Sequence, residues 1–278
     1  KCYYVIFDKK FYNEAIVYSM GFTGYIETLN NLNLNIQNKI VSKCNYTNKS
    51  TEFKNSFYPP LVKLKNKIIK NSYKLKKNKI ITGPNASGKT TLLKSTLFNI
   101  ILSQQIGFGF YSEAKINIYD YVHCYLNIPD TSGRDSLFQA EARRCKEILD
   151  NVIQNKEERH FCIFDELYSG TNPYEAISGA YAYLTYLTRY KNFNFLLTTH
   201  YVSLCEKINK NKCIENAHMI INVNDKEPNS ADNNEKLQYT YKLGKGISKI
   251  KGGINVFRDL NYPVDIVNIM KREINNAL

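Results

Sequence analysis

The sequence contains no tryptophan, only three methionines and seven prolines among its 278 residues, and no long uninterrupted hydrophobic run. Its most apolar stretch, residues 92–110, still contains a lysine, an asparagine, two glutamines and two glycines. A membrane span needs about 20 consecutive apolar residues, so this stretch predicts a buried helix and no membrane partner. No signal sequence is recognisable, and the chain begins with Lys1 in place of Met, so we expect an excerpt of a longer protein.

The cysteines do not form a pattern. All seven are spread singly, no C-x-x-C occurs, and the four histidines do not complete the spacing of a zinc site. This distribution excludes a disulfide framework and a structural zinc site. It predicts reduced, mostly buried thiols and an intracellular protein, in the cytoplasm, the nucleus or an organelle, or of viral origin.

Acidic residues are fewer than basic ones: the chain has 25 Asp and Glu and 38 Lys and Arg, which gives a formal charge of +13. Eight lysines fall within residues 63–79. A basic surface that contacts nucleic acid would explain this excess. A compositional bias toward Lys, Asn, Ile and Tyr, as in an AT-rich genome, would explain it equally well, and charge alone does not separate the two.

The most informative segment is a phosphate-binding loop of the form G-x-x-x-x-G-K-[ST]. It follows the apolar run 79–82, opens a helical stretch at Thr91, and consists of Gly83, Pro84, Asn85, Ala86, Ser87, Gly88, Lys89 and Thr90. The two glycines allow the backbone N–H groups to face phosphate oxygens, and the helix N-terminus favours the same anion. Lys89 is expected to bind the outer phosphates and Thr90 to bind Mg²⁺.

Two further strand ends carry polar side chains. Residues 160–164 form an apolar run, typical of a strand buried on both faces, which ends at Asp165 and Glu166. Asp165 is expected to orient Mg²⁺ through its water shell, and Glu166 to take a proton from the attacking water or to position that water. A third strand, 194–199, ends at His200, which can reach the γ-phosphate.

The organisation of the chain predicts an α/β fold. We expect an amphipathic helix over about 13–32, a polar linker over 43–50, alternating strands and helices over 52–224, and a terminal helix over about 264–275. A polar loop, 224–235, separates strands at 219–223 and 237–243. Residues 132–141 predict a helix N-terminus between the two nucleotide motifs, followed by a helix over 138–151. That position favours an ATP-binding-cassette arrangement, in which one subunit's signature helix closes over the other's γ-phosphate.

Together these motifs resemble the C-terminal ATPase domain of the MutS family of DNA mismatch-repair proteins. The matching segments are residues 81–90, 133–138, 164–173 (Phe-Asp-Glu-Leu-Tyr-Ser-Gly-Thr-Asn-Pro), 198–201 (Thr-Thr-His-Tyr) and the Gly- and Pro-containing stretch 246–263. The resemblance covers about residues 52–275. It implies a P-loop NTPase with an ABC-ATPase-like sheet flanked by helices over 51–278. Residues 1–50 would then be the end of the family's helical core or lever region.

The resemblance also implies roles for matching positions. Lys89, Glu166 and His200 would be catalytic, with Glu166 as general base and His200 as γ-phosphate sensor. ATP would bind the loop 83–90 and Thr91, with Ile68, Asn71 and Tyr241 near the adenine. Thr90 and Asp165 would bind Mg²⁺, and Ser136 would reach into the nucleotide site of a partner subunit. The implied partners are a second MutS-like subunit, as homo- or heterodimer, and double-stranded DNA through the full-length protein.

The sequence departs from the family pattern in places. Ser87-Gly88 stands where two glycines are usual, and Tyr168 and Ser169 follow the carboxylates in place of the usual Arg or Gly. None of these changes removes a group needed for hydrolysis. Other possibilities stay open: another ABC-type repair, chromosome or transporter ATPase, a MutS-like protein that acts in recombination without mismatch recognition, or a module that binds ATP without hydrolysing it.

Overall fold

A computed structural model describes residues 10–64, 68–126, 128, 136–224, 236–250 and 252–276. In chain order its elements are α1 (Lys10–Gln37), β1 (Ser42–Lys43), β2 (Asn45–Thr47), β3 (Glu52–Ser56), a 3-10 helix (Pro59–Lys63), β4 (Asn71–Lys74), β5 (Asn78–Thr82), α2 (Lys89–Ile106), β6 (Phe108–Gly109), β7 (Glu113–Asn117), β8 (Tyr121–Tyr125), α3 (Leu137–Gln154), β9 (His160–Asp165), α4 (Pro173–Leu187), β10 (Phe193–Thr199), α5 (Val202–Ile208), β11 (Ile214–Asn224), β12 (Lys236–Lys245), α6 (Gly253–Asp259) and α7 (Val264–Asn276).

The main sheet has six strands in the order β12-β11-β5-β10-β9-β8. The five strands from β11 to β8 are parallel, and β12 joins the edge in antiparallel pairing with β11. β5 therefore lies between β10 and β11, and β10 lies between β5 and β9. Parallel strands carry ligand chemistry at their carboxyl ends, so the ends of β5, β9 and β10 are brought to one edge.

Both faces of this sheet are buried, as the predicted α/β class requires. Successive residues of a strand point to opposite faces, and Ile80 and Ile81 belong to two different core clusters. One cluster packs the sheet against α3, α4 and α5. The other packs it against α2 and a second, four-stranded sheet in the order β2-β7-β3-β4. Each fully buried Ile, Leu or Phe stabilises the fold by about 1.5–3 kcal/mol.

The second sheet corrects one sequence prediction. The stretch 43–50 was expected to be a linker, but Ser42 pairs with Gly109 in β6 and Asn45 pairs with Lys115 in β7. The prediction was wrong because β1 and β2 are only two and three residues long, and their partners lie more than 60 residues away in the sequence. Residues 42–47 are thus paired with strands that follow α2.

Other elements differ from expectation mainly in length. The helix predicted within 92–110 ends at Ile106, because Gly107 adopts φ 74° and donates its N–H to the carbonyl of Ser103. The N-terminal helix runs to Gln37, beyond the predicted 32, and Val17 and Tyr18 lie exposed on it. The predicted polar loop lies, except for its first residue, outside the described residues. None of the described helices combines the length and the apolar character needed to cross a membrane.

Candidate active site

The phosphate loop connects β5 to α2 and has the expected irregular backbone. Gly83 has φ 153° and Gly88 has φ 95°, values that L side chains rarely adopt, and Ala86 between them has φ 61°. A Cβ on Gly83 would lie 2.8 Å from the Ser87 hydroxyl oxygen. That hydroxyl is buried and has no hydrogen-bond partner among the described residues. A buried polar atom without a partner is consistent with a site that receives a polar ligand.

Lys89 is almost completely buried beneath this loop. Its ammonium donates to the carbonyls of Gly83 at 2.9 Å and Pro84 at 3.1 Å. It also lies 3.3 Å from Nε2 of His200 and 4.0 Å from Oε1 of Glu166. Burial lowers the pKa of Lys89, and the nearby carboxylates of Glu166 and Asp165 partly oppose that change. The ammonium is therefore held at the strand ends, where an anion can replace a carbonyl as its acceptor.

Asp165 and Thr90 form an oxygen-rich corner beside Lys89. The Thr90 hydroxyl donates to the two Asp165 carboxylate oxygens at 2.9 and 3.2 Å, and the Thr198 hydroxyl donates to the same carboxylate. No group of three or more His, Cys, Asp or Glu side chains that could hold a metal occurs in the part of the chain that the structure describes. One carboxylate and one hydroxyl suit Mg²⁺, which keeps several waters and takes further oxygens from phosphates.

Glu166 and His200 face each other across the ends of β9 and β10. Nε2 of His200 lies 2.6 Å from Oε1 of Glu166. The hydrogen bond from His200 lowers the pKa of Glu166, with smaller contributions from the charges of His200 and Lys89, while burial works in the opposite direction. Glu166 is therefore a carboxylate at neutral pH. Its φ of 54° is unusual for a residue with a side chain, and such strain of about 1–3 kcal/mol is common at active sites.

A cavity of about 460 Å³ extends from the loop toward the four-stranded sheet. It is lined by the three residues predicted near adenine, Ile68, Asn71 and Tyr241, together with the loop from Asn85 to Thr91 and Glu166. An apolar wall that sequence reasoning missed adds Phe57, Tyr58, Leu61 and Leu64. These four are spread over a loop and a 3-10 helix, so no periodic pattern marks them.

The contacts of Asn71 are with backbone groups. Its Nδ2 donates to the carbonyl of Tyr241 at 3.0 Å, and its Oδ1 accepts from the N–H of Leu243 at 2.9 Å. Asn71 thereby fixes β12 to β4. Tyr241 has φ 56°, close to a shift in the β11–β12 register, and its ring would be 3.1 Å from a Cβ on Gly88. The aromatic ring is thus held against the phosphate loop.

Ser136 is the N-cap of α3. Its hydroxyl accepts from the N–H of Gln139 at 3.3 Å, and the Gln139 side chain accepts from the N–H of Ser136 at 2.9 Å, which completes a capping box. The hydroxyl keeps its own proton for donation to another acceptor. The rest of the predicted signature, 133–135, lies outside the described residues, and the role of Ser136 toward a partner stays a prediction.

Comparison with known proteins identifies the family to which the chain is similar. The family model described as MutS domain V matches residues 79–278. DNA mismatch repair protein MutS of Persephonella marina is 26% identical over 209 residues, which are 74% of this chain and 22% of that protein. DNA mismatch repair protein MSH2 of Saccharomyces cerevisiae is 31% identical over 198 residues, 70% of this chain and 20% of that protein. MutS protein homolog 4 of Homo sapiens is 31% identical over 190 residues, 68% of this chain and 19% of that protein.

These relatives are much longer than the part they share with this chain, which spans about a fifth of their length. The model match covers most of the chain and includes the phosphate loop, both carboxylates and His200. The chain therefore belongs to the MutS family and contains the family's domain V.

Proposed function

We propose that the chain is the ATPase part of a MutS-like DNA mismatch-repair protein and hydrolyses ATP to ADP and phosphate in a Mg²⁺-dependent reaction. The observation that carries the proposal is the convergence of Lys89, Glu166 and His200. The three side chains lie within 4.0 Å of one another: Lys89 begins α2, and Glu166 and His200 directly follow β9 and β10. A lysine, a carboxylate and a histidine in this arrangement supply phosphate binding, a proton acceptor and a γ-phosphate contact.

In this proposal the side chains divide these tasks, and His200 has two: a contact with the γ-phosphate and a hydrogen bond to Glu166. The loop N–H groups and Lys89 bind the phosphates, and Tyr241 packs against the adenine above the loop. Thr90 and Asp165 would hold Mg²⁺, which would supply positive charge to neutralise the phosphates. Glu166 accepts the proton of the attacking water, and His200 keeps the Glu166 carboxylate ionised and oriented toward that water.

The proposed partners are a second MutS-like subunit and, through the full-length protein, double-stranded DNA. Two relatives carry "DNA mismatch repair protein" in their names, which supports the DNA assignment. Ser136, at the capped start of α3, would contact the γ-phosphate bound by the partner subunit. We also propose that the ATPase unit begins near residue 42, because β1 and β2 pair with β6 and β7, and that the helix before it is the end of the core or lever region.

Phosphate release from ATP by the purified chain tests this proposal. We expect slow turnover that requires Mg²⁺, and weak dimerisation that strengthens when ATP is bound, measured by sedimentation. Turnover also separates hydrolysis from a module that only binds ATP. Absence of Mg²⁺-dependent turnover in a folded chain that binds ATP would favour the binding module and contradict the proposal.

A further inference from the structure

A buried carboxylate that the proposed reaction does not use lies on α3. Glu141 is only 2% exposed, five residues after the Ser136 cap. A buried carboxylate is retained in a fold only when hydrogen bonds satisfy it, since an unsatisfied buried charge is strongly unfavourable. The partners of Glu141 therefore indicate what it does.

Ser169 and Gly170, in the loop that follows Glu166, donate three hydrogen bonds to Glu141, and the hydroxyl of Tyr125 is a further hydrogen-bond partner of its carboxylate. Its Oε1 accepts from the N–H of Ser169 at 3.0 Å and from the Ser169 hydroxyl at 2.9 Å. Its Oε2 accepts from the N–H of Gly170 at 3.1 Å. Two consecutive backbone N–H groups that converge on one carboxylate fix the path of that backbone, because both must keep their direction for the bonds to form.

The same contact is closely packed. A Cβ on Gly170 would lie 2.7 Å from Cγ of Leu137 and 2.8 Å from the backbone nitrogen of Phe138, closer than real Cβ atoms approach other atoms. The ring of Phe138 meets the ring of Tyr168 edge-on, with centroids 5.7 Å apart. The loop and the first turn of α3 thus form one packed unit, and the hydrogen bonds to Glu141 join its two parts.

The loop needs such an attachment because its backbone is strained. Glu166 has φ 54° and Tyr168 has φ 59°, so two residues with side chains occupy the left-handed region within three positions. Strained conformations persist only where the surroundings fix them. Glu141 acts together with two other contacts of this backbone. The N–H of Glu166 donates to the carbonyl of Thr198 at 3.1 Å, and the Tyr125 hydroxyl accepts from the N–H of Tyr168 at 3.3 Å.

We propose that Glu141 is a positioning residue for hydrolysis, an inference that rests on the proposed function. By holding residues 169 and 170 to α3, it keeps Glu166 in its strained orientation toward the attacking water. It also makes the loop that carries Glu166 and the helix capped by Ser136 move as one body. The site that cleaves one ATP is thereby tied to the helix end that would reach the ATP bound by a second subunit.

The test compares Glu141→Gln with Glu147→Gln in the whole chain. Glu147 lies on the same helix, is exposed and pairs with Arg144 at 2.9 Å, so its variant makes the same chemical change outside the loop contact. An amide cannot accept all three bonds from Ser169 and Gly170, because one of its two ends is a donor. We expect kcat to fall about 100-fold in Glu141→Gln, the effect of a misplacement of about 1 Å. KM and the affinity for ATP should change little, because the phosphate loop is untouched.

A purely structural role would give a different pattern, in which melting temperature, ATP affinity and kcat fall together. That pattern, or equal kcat in the two variants, would overturn the inference. Gly170→Ala provides an independent variant, because the added Cβ separates the loop from α3 without removing a charge, and it should show the same split between kcat and KM. Unchanged kcat in Gly170→Ala would also contradict the inference.

If Glu141→Gln does not fold, Ser169→Ala decides the question. It removes only the hydroxyl bond to Glu141, and we expect kcat to fall about threefold to tenfold, the effect of one hydrogen bond. No fall in kcat would overturn the inference. These outcomes differ from failure of the proposed function, which would appear as absence of Mg²⁺-dependent turnover in the unaltered chain.

Discussion

Replacement of Glu166 by glutamine is the most informative single change to the proposed chemistry. Glutamine has nearly the same shape and keeps an oxygen that can accept from Nε2 of His200, which is 2.6 Å away in the native site. It cannot take a proton at neutral pH. Loss of a general base reduces the rate by about 10²- to 10⁴-fold, which raises the barrier by roughly 3–5 kcal/mol.

The effect on binding should be much smaller. Glu166 is 4.0 Å from Nζ of Lys89, and its side chain is 41% exposed, so solvent screens the pair. Such pairs contribute about 1 kcal/mol or less, which is at most about a fivefold change in affinity. Removal of a negative charge beside the phosphates also favours the bound triphosphate. We therefore expect Glu166→Gln to bind ATP as tightly as the native chain, or more tightly, and to accumulate as an ATP-bound dimer.

The assay is phosphate release at saturating Mg-ATP, together with a fluorescent-nucleotide titration and sedimentation with and without ATP. Glu158→Gln is the control, because Glu158 is exposed just before β9, at the opposite end of the strand from Glu166. The control should match the native chain in every measurement. Unchanged kcat in Glu166→Gln would refute Glu166 as the base. Loss of ATP affinity in proportion to kcat would refute the separation of binding from chemistry.

Three further changes test the remaining groups. Thr90→Ala removes a proposed metal ligand beside Asp165. In a Mg²⁺ titration it should raise the Mg²⁺ concentration for half-maximal turnover at least tenfold. An unchanged Mg²⁺ concentration for half-maximal turnover would exclude Thr90 as a ligand. His200→Ala removes the main interaction that lowers the pKa of Glu166, so the pKa of Glu166 should rise. On acidification the Glu166 carboxylate is then protonated, and lost as a base, at a higher pH than in the native chain. The acidic limb of the kcat–pH profile should shift to higher pH, and an unchanged position of that limb would contradict this prediction. Tyr241→Ala should weaken ATP binding about twofold to tenfold with a smaller effect on kcat, measured by nucleotide titration, since stacking contributes about 0.5–1.5 kcal/mol. An equal loss of affinity for inorganic triphosphate, which has no base, would argue against stacking on the adenine.

The strands that bear chemistry were the easiest part of the fold to predict. β5, β9 and β10 each contain a short apolar run and are followed by the phosphate loop, the two carboxylates and His200. Such runs are typical of buried parallel strands. Their order in the sheet could not be predicted, because it depends on pairing between segments separated by tens of residues. The four-stranded sheet was missed since its strands are short and polar. β3, for example, is Glu-Phe-Lys-Asn-Ser and is interrupted by Asn55 at φ 54°.

The site residues also separate into those that a local sequence motif identifies and those that only long-range contacts identify. Lys89, Thr90, Asp165, Glu166 and His200 could be selected from the sequence because each occupies a fixed place in a local motif. Glu141 could not, because an isolated glutamate on a helix is usually exposed. Its burial depends on the N–H groups of Ser169 and Gly170, which lie 28 and 29 residues further along the chain. Backbone donors carry no sequence signal, so only the folded arrangement identifies this contact.

A crystal structure of the chain with Mg²⁺ and a non-hydrolysable ATP analogue would test the central claim most directly. The account predicts a triphosphate within hydrogen-bond distance of the loop and Lys89, Mg²⁺ bound by Thr90, and Glu166 facing the γ-phosphate. It also predicts Ser136 of a second copy at that phosphate. A triphosphate bound elsewhere, or a metal remote from Thr90 and Asp165, would contradict it.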